Sequence, residues 1–544
     1  MSFWQDYPVP ALRHEAQHGN RVVACFAERP ASFYAMFAAS AARCPSAEAL
    51  VFDGQRWTYA ECEAIATRLS AGLAAQGVMP GDRVVIFIDN RPEFVWVLLA
   101  LQRLGAIAVP VGVREQRPGL AYILRQCGAI GVVADAALAD RLPDCSCDAN
   151  QAPALRLRIS VGDAPGCIPL QSLLAGDAPA MPSAKPSATP AATPAEHDTA
   201  VILYTSGTTG HPKGAMLTHS NIVHSVLHYT ACMRLGADAR SALAVPASHV
   251  TGLIAIIATM LHLGGAIVIV PAFKAGPFIN LLAAERISHT MMVPAMYTLC
   301  LLQPGFASAD LSAWRVGSYG GAPMPVATID AINAVLPGLL LINAYGATET
   351  TSPATLMPMG HTRAHADSVG VALPATTIRV MDEAGRELPA GVAGELWVGG
   401  PMVVPGYWAN PEATAAAFTA GFWHSGDLGS VDAEGYVRVF DRQKDMLNRG
   451  GYKIYSVEVE NVLMAWPGMV EAAIVGKPCP VLGERVHAVL HAPGLARDDA
   501  AIRQFCAERL ADYKVPETFN WSDSPLPRNA NGKLMKRLLR DAAI

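Results

Sequence analysis

The chain is 544 residues long, 51% hydrophobic and 16% charged, with a formal net charge of −5. That length exceeds one compact core and implies roughly three to four domains or subdomains. The apolar share excludes a disordered chain, and the slightly acidic balance leaves no basic stripe for a nucleic acid.

The eleven cysteines are scattered; Cys145 and Cys147 are the closest pair, with no second pair to complete a four-ligand zinc site. Reduced, mostly buried thiols and a first stretch (Met1 to Asn20) without a long apolar run point to a cytoplasmic protein with no secretion signal.

Thr58 and Glu61 are spaced as a capping box, and Cys62, Ile65, Ala66, Leu69 and Leu73 recur at helical spacing until Gly77. Arg83 to Ile88 reads as a strand, Phe94 to Leu104 as an apolar helix and Ala106 to Val111 as another strand. This rhythm implies an α/β fold with a largely parallel sheet buried on both faces. Ala178 to His197, rich in Ala and Pro, cannot build a core and reads as a surface connection. The rhythm resumes at Ala200 with the apolar strand Val201 to Tyr204. Gly252 to Pro271 is nearly long and apolar enough to span a membrane, but His262 and the Gly264-Gly265 pair interrupt it. It reads instead as a buried helix over Leu253 to Leu263 and a buried strand over Ala266 to Val270, so no membrane span is expected. Strands dominate from Ile378 to Val398, with a turn at Asp382 to Gly385. A second break near Asp441 to Asp445 opens a final unit with strands over Glu471 to Val475 and Arg485 to Leu490, and a helix over Asp498 to Leu510.

The densest chemistry follows the strand at 201–204. Thr205-Ser206-Gly207-Thr208-Thr209-Gly210-His211-Pro212-Lys213-Gly214 combines glycines, hydroxyls and one lysine. Glycines let the backbone approach a ligand, hydroxyls donate hydrogen bonds, and Lys213 adds positive charge; together they suit a polyphosphate. The common P-loop puts Lys directly after its second Gly, with Ser or Thr next; here Pro212 precedes the lysine and Gly214 follows it. A plain surface turn is the competing reading.

From about Thr58 to the C-terminus, a series of segments resembles the adenylate-forming superfamily: acyl- and aryl-CoA ligases, luciferases and peptide-synthetase adenylation domains. After the loop come Ala344-Tyr345-Gly346-Ala347-Thr348-Glu349-Thr350, then Gly406-Tyr407-Trp408, then Trp423-His424-Ser425-Gly426-Asp427-Leu428-Gly429. Asp441-Arg442-Gln443-Lys444-Asp445 and Gly450-Gly451-Tyr452-Lys453-Ile454 match the family's hinge region, and Pro527-Arg528-Asn529-Ala530-Asn531-Gly532-Lys533 matches its last motif. The order is the family's order, and the acyl-CoA synthetases are the nearest branch.

The resemblance implies a large N-terminal domain (1–440) with two α/β sheet subdomains and a small β-barrel-like subdomain. A hinge (441–445) and a small mobile α+β C-terminal lid domain (446–544) would follow. It implies ATP, Mg2+ and CoA as partners in acid activation. A carboxylate attacks the α-phosphorus of ATP, pyrophosphate leaves, and a thiol then displaces AMP. By the same resemblance, Thr205, Ser206, Gly207, Thr208, Thr209, Gly210 and Lys213 hold the β- and γ-phosphates. Thr348 contacts the α-phosphate, and Glu349 binds Mg2+, a hard cation content with one carboxylate plus phosphate oxygens. Tyr345 stacks on adenine, with Gly321, Ala322 and Pro323 on its other side, and Asp427 holds the ribose with help from Arg442. Lys533 is the catalytic lysine bridging carboxylate and α-phosphate; the alternative is a solvated basic face shared with Lys536, Arg537 and Arg540. Lys444 is the hinge pivot, Gly450 and Gly451 line the CoA channel, and Lys453 is a further candidate for nucleotide contact. Asn448 stands where many relatives carry lysine, which puts any thioester-step role there in doubt.

His249, in His249-Val250-Thr251-Gly252-Leu253, resembles a residue beside the reacting carboxylate; a structural histidine is the alternative. Tyr319, Gly320, Gly321, Ala344 and Gly346 would border the acyl group. Met296, Ile254 and Ile257 favour an apolar tail or ring, and no arginine stands ready for a second carboxylate. Fatty and aromatic acids remain equal candidates. The expected acceptor is CoA, with a separate carrier protein as the alternative, and the expected assembly is a monomer or homodimer.

Overall fold

The computed structural model describes residues 3–19, 21–143, 155–175, 194–205, 212–443, 445–450, 452–528 and 534–543. Helix starts follow local chemistry. The capping box at Thr58 forms in full: Thr58 Oγ1 accepts from Glu61 N–H at 3.3 Å, and Glu61 Oε2 accepts from Thr58 N–H at 2.8 Å. The helix Tyr59–Ala75 follows, then the strand Arg83–Phe87, the helix Pro92–Leu104 and the strand Ile107–Pro110, as the periodicity predicts.

Two α/β sheets build the bulk of the chain. The first orders its strands Lys213–Thr218, Thr199–Thr205, Ile107–Pro110, Arg83–Phe87, Gly131–Asp135, Leu157–Val161, Ile168–Pro169. All its pairings are parallel except the first. Along Arg83–Phe87, Val84 and Ile86 enter the main core while Val85 and Phe87 enter a second cluster with Val109 and Val132. A strand buried on both faces is what the unbroken apolar run requires. The second sheet has nine strands. Glu48–Phe52, Ala266–Ile269, Arg240–Leu243, His289–Met292, Val316–Gly320 and Leu340–Ala347 run parallel at its centre. Ile267 and Ile342 share the main core with Val84 and Ile86, so one core joins both sheets.

The small β subdomain is a five-stranded antiparallel sheet around Thr377–Met381, Gly394–Gly399, Phe422–Val431 and Val437–Arg442, the fifth strand being Phe418–Thr419. The last unit pairs Tyr452–Ile454, Leu447–Arg449, Gly483–His491 and Glu471–Cys479 antiparallel, with Thr518–Trp521 added in parallel. It has its own core, around Leu447, Ile454, Leu463, Ile474 and Leu490.

One element departs from expectation. Over 251–258 the apolar segment is a π-helix, and only Thr259–Leu263 is α-helical. The Thr259 hydroxyl and backbone N–H both reach back to Ile254 O, the hydroxyl at 2.8 Å. An all-apolar segment has no polar face, so its periodicity cannot separate the two helix types. Most of the expected surface connection at Ala178 to His197 lies outside the described residues. No helix among the described residues is long and apolar enough to cross a membrane.

Candidate active site

In an open α/β sheet, the crevice beyond the carboxyl ends of parallel strands is where backbone turns expose side chains to a ligand. Four adjacent strands of the second sheet end together here. Beyond them lie His249, the Gly321-Ala322-Pro323 turn and the Thr348-Glu349 turn. Gly320 pairs with Ala344, and a Cβ on it would stand 2.4 Å from Ala344 O, so only glycine fits between these strands.

The Glu349 turn is tight. A Cβ on Gly346 would lie 1.6 Å from Ser352 O, and Thr351 and Ser352 both hold positive φ, 51° and 96°. Such conformations cost about 1–3 kcal/mol each and persist only where the surroundings enforce them. Here the Thr351 hydroxyl donates to Met402 O at 2.8 Å, and Tyr229 Oη and Ser352 Oγ meet at 2.6 Å. Glu349 is only 7% exposed. Its Oε1 accepts from the Tyr407 hydroxyl at 2.8 Å and from Thr205 Oγ1 at 3.4 Å. Burial and the Glu349 carboxylate push the Tyr407 pKa up, so the phenol keeps its proton and donates. Among the described residues no hydrogen bond falls on Glu349 Oε2.

Thr205 and Lys213 face each other at the mouth of the glycine-rich loop, in the last pair of an antiparallel ladder. Lys213 Nζ lies 5.2 Å from the centroid of the Tyr407 ring. Gly214 O accepts from Trp408 N–H at 2.7 Å, so the loop's exit is tied to the Gly406-Tyr407-Trp408 segment. Ser206, Gly207, Thr208, Thr209, Gly210 and His211 lie outside the described residues, as do Lys444, Gly451 and Lys533.

A second cluster is built from two sheets. The Tyr345 hydroxyl donates to Asp427 Oδ2 at 2.7 Å, and Arg442 Nε lies 3.4 Å from Asp427 Oδ1. Asp427 and Arg442 are direct partners across antiparallel strands, and the Asp427 N–H donates to Ser425 Oγ at 3.0 Å. Burial first, then Asp427, raises the Tyr345 pKa. Just beyond Arg442 the chain enters the last unit. Asp441 Oδ2 accepts from the Ser456 N–H at 2.5 Å, and Lys536 Nζ lies 2.7 Å from Glu460 Oε1. Gly450 turns the following hairpin with φ 60°, donating its N–H to Leu482 O at 2.7 Å.

His249 Nδ1 accepts from the Thr251 N–H at 3.3 Å. Its loop is held by a residue that the sequence reading passed over. Asn90, 6% exposed, donates to Leu243 O, Val245 O and Val270 O at 3.0–3.3 Å and accepts from Ala247 N–H at 2.8 Å. Gly252 follows because a Cβ there would stand 2.3 Å from Pro246 O. Tyr319, Ala344, Met296, Ile254 and Ile257 are all buried in the main core beside this edge. Tyr407 was visible in its motif, yet only its distant contact with Glu349 reveals a role.

Residues 37–408 match the family model described as AMP-binding enzyme, and residues 458–533 match AMP-binding enzyme C-terminal domain. The chain is 35% identical over 500 residues to a feruloyl-CoA synthase of Amycolatopsis, covering 91% of this chain and 96% of the relative. It is 32% identical over 488 residues to the long-chain-fatty-acid–CoA ligase FadD13 of Mycobacterium tuberculosis, covering 89% and 93%. Among solved structures, ATP-bound MatB from Rhodopseudomonas palustris superposes with a TM-score of 0.83 at 31% identity, covering 94% of this chain and 99% of that one. The chain belongs to the family of AMP-binding enzymes.

Proposed function

We infer that this chain is an AMP-forming acid–CoA ligase. It joins a carboxylic acid to AMP with release of pyrophosphate, then passes the acyl group to the CoA thiol and releases AMP. A carboxylate repels nucleophiles; adenylation makes one of its oxygens part of a good leaving group, AMP. The observation that carries this reading is the meeting of three sheets around the end of the strand Leu340–Ala347, where Glu349 takes Thr205 and Tyr345 takes Asp427 beside Arg442, in a chain of this family.

Both half-reactions bring anions together, so the site must supply positive charge and fixed donors. Thr205, Lys213 and the loop between them would grip the β- and γ-phosphates, and Thr348 the α-phosphate. Tyr345 would flank the adenine opposite Gly321 to Pro323, while Asp427 accepts from the ribose hydroxyls beside Arg442. Mg2+ neutralises phosphate charge when bound, and the donor set fits it: one enclosed carboxylate, whose Oε2 takes no hydrogen bond among the described residues, beside a hydroxyl. Among the described residues no cluster of three His, Cys, Asp or Glu offers an all-protein metal cage. Lys533 would bridge the carboxylate and the α-phosphate. Residues 446–544 would form a lid that turns about Lys444 between half-reactions, with Gly450 and Gly451 lining the thiol's path. The acid is an apolar-bodied one, fatty or aromatic: the strand edge is backed by Met296, Ile254 and Ile257, and the two named ligases take one kind each.

Pyrophosphate release with straight-chain, branched and aromatic acids, followed by thioester formation with CoA or with a carrier protein, tests the reading. Pyrophosphate with at least one apolar acid, and thioester on CoA, is the expected result. Product on carrier protein alone would replace CoA as acceptor; no pyrophosphate with any acid would overturn acid activation itself.

A further inference from the structure

Arg21 opens the strand Arg21–Phe26 of an N-terminal hairpin, ahead of the residues matched by the family model, which begin at 37. It is 8% exposed, and burial pulls its pKa down. Among the described residues it has no carboxylate partner, and its Nε makes no hydrogen bond. An unpaired buried cation is costly and is found where its donors hold something in place.

What Arg21 holds is backbone. Nη1 donates to Val403 O at 3.3 Å and Nη2 to Val404 O at 3.4 Å. Gly421, at φ 85°, makes the room, since a Cβ there would stand 2.8 Å from Arg21 Cδ. The segment 401–404 is a strap gripped from both sides. Asn221, which answers Thr218 in the capping box of the helix His219–Cys232, donates its Nδ2 to Pro401 O at 2.7 Å and Val403 O at 3.2 Å. On its inner side the strap holds the strained turn: Val404 N–H donates to Glu349 O at 2.9 Å, and Met402 O accepts from Thr351 Oγ1 at 2.8 Å. Three residues further on, Tyr407 holds the Glu349 carboxylate itself.

We propose that Arg21 is a positioning residue: through the 401–404 strap it fixes the turn that aims Glu349 at its cation. The proposal rests on the reading of Glu349 as the Mg2+ carboxylate. Carboxylates at metal sites are oriented by their outer partners, and loss of such a partner costs about tenfold to a hundredfold in metal affinity. Arg21 acts one step further out, so the low end of that range applies.

The test compares R21M, R21K and E349Q by calorimetric binding of α,β-methylene-ATP with and without Mg2+, alongside each variant's Tm. R21M keeps the apolar stem but loses the charge and the donors. It is expected to weaken nucleotide binding in the presence of Mg2+ by about tenfold while leaving binding without Mg2+ unchanged, with R21K intermediate. Equal weakening with and without Mg2+, or no weakening, overturns the proposal. If R21M fails to fold, the same comparison on R21K decides. An E349Q variant that keeps the full effect of Mg2+ defeats the reading of Glu349; an E349Q variant that loses it while R21M and R21K do not defeats only the role of Arg21.

Discussion

Tyr345 and Asp427 meet between two sheets that share no strand: the Tyr345 hydroxyl, on Leu340–Ala347, donates to Asp427 Oδ2, on Phe422–Val431, at 2.7 Å. One hydrogen bond to a charged acceptor thereby locks the ring beside the carboxylate. Hydrogen bonds to charged groups are worth about 1.5–3 kcal/mol, which is roughly tenfold to a hundredfold in an equilibrium constant. In steady-state kinetics, D427A is expected to lower kcat/KM for ATP within that range. Y345F, which keeps the ring and loses the donor, should fall at or below its lower end. Unchanged ATP kinetics in both variants would remove these residues from the nucleotide site.

The Glu349 carboxylate is separable from its shape. E349Q keeps the side-chain volume and the acceptor for Tyr407 but removes the charge. The Mg2+ concentration for half-maximal adenylation should rise about tenfold or more, and Y407F, which only frees the carboxylate, should shift it less. A magnesium titration of the two variants against the parent checks both. An unshifted E349Q would send the cation elsewhere.

Lys533 can be tested by splitting the reaction. Lys533→Ala should abolish acyl-adenylate formation while largely sparing thioester formation from supplied acyl-adenylate. Equal loss in both half-reactions would contradict a role confined to the first.

Three histidines on one buried helix set an acid limit on stability. Burial lowers the pKa of His219 to about 4, of His224 to about 4 and of His228 to about 3. Unfolded, each titrates near about 6.5. Below that value the unfolded chain binds protons that the folded chain does not, so stability present above about pH 6.5 is lost as pH falls toward 4. The loss is about 1.4 kcal/mol per pH unit for each such histidine. Calorimetric Tm should therefore drop steeply from pH 6.5 to 5, and H228Q, whatever its Tm at pH 7.5, should flatten that slope. A Tm independent of pH in this window would show that the histidines titrate normally.

What could be read from the sequence was local. The capping box of Thr58 and Glu61 involves residues three apart, and the strand at 83–87 is set by its own apolar run. The candidate site residues 345, 348, 349, 427 and 442 were visible only because whole motifs resemble a family. What holds the Glu349 turn and the His249 loop was not visible, because Arg21, Asn90, Asn221 and Tyr407 act across gaps of scores to hundreds of residues, and each alone is an ordinary polar residue. The π-helix at 251–258 was hidden by uniform apolarity, and the turn at 346–352 by a strain that only its neighbours reveal.

The most direct test of the account is a single turnover with CoA withheld. Enzyme in excess is mixed with ATP, Mg2+ and an acid that supports pyrophosphate release, and the products are resolved by mass spectrometry. The account predicts enzyme-bound acyl-AMP and pyrophosphate in equal amounts, with acyl-CoA and AMP appearing only when CoA is added. ADP and inorganic phosphate in place of acyl-AMP and pyrophosphate would contradict it.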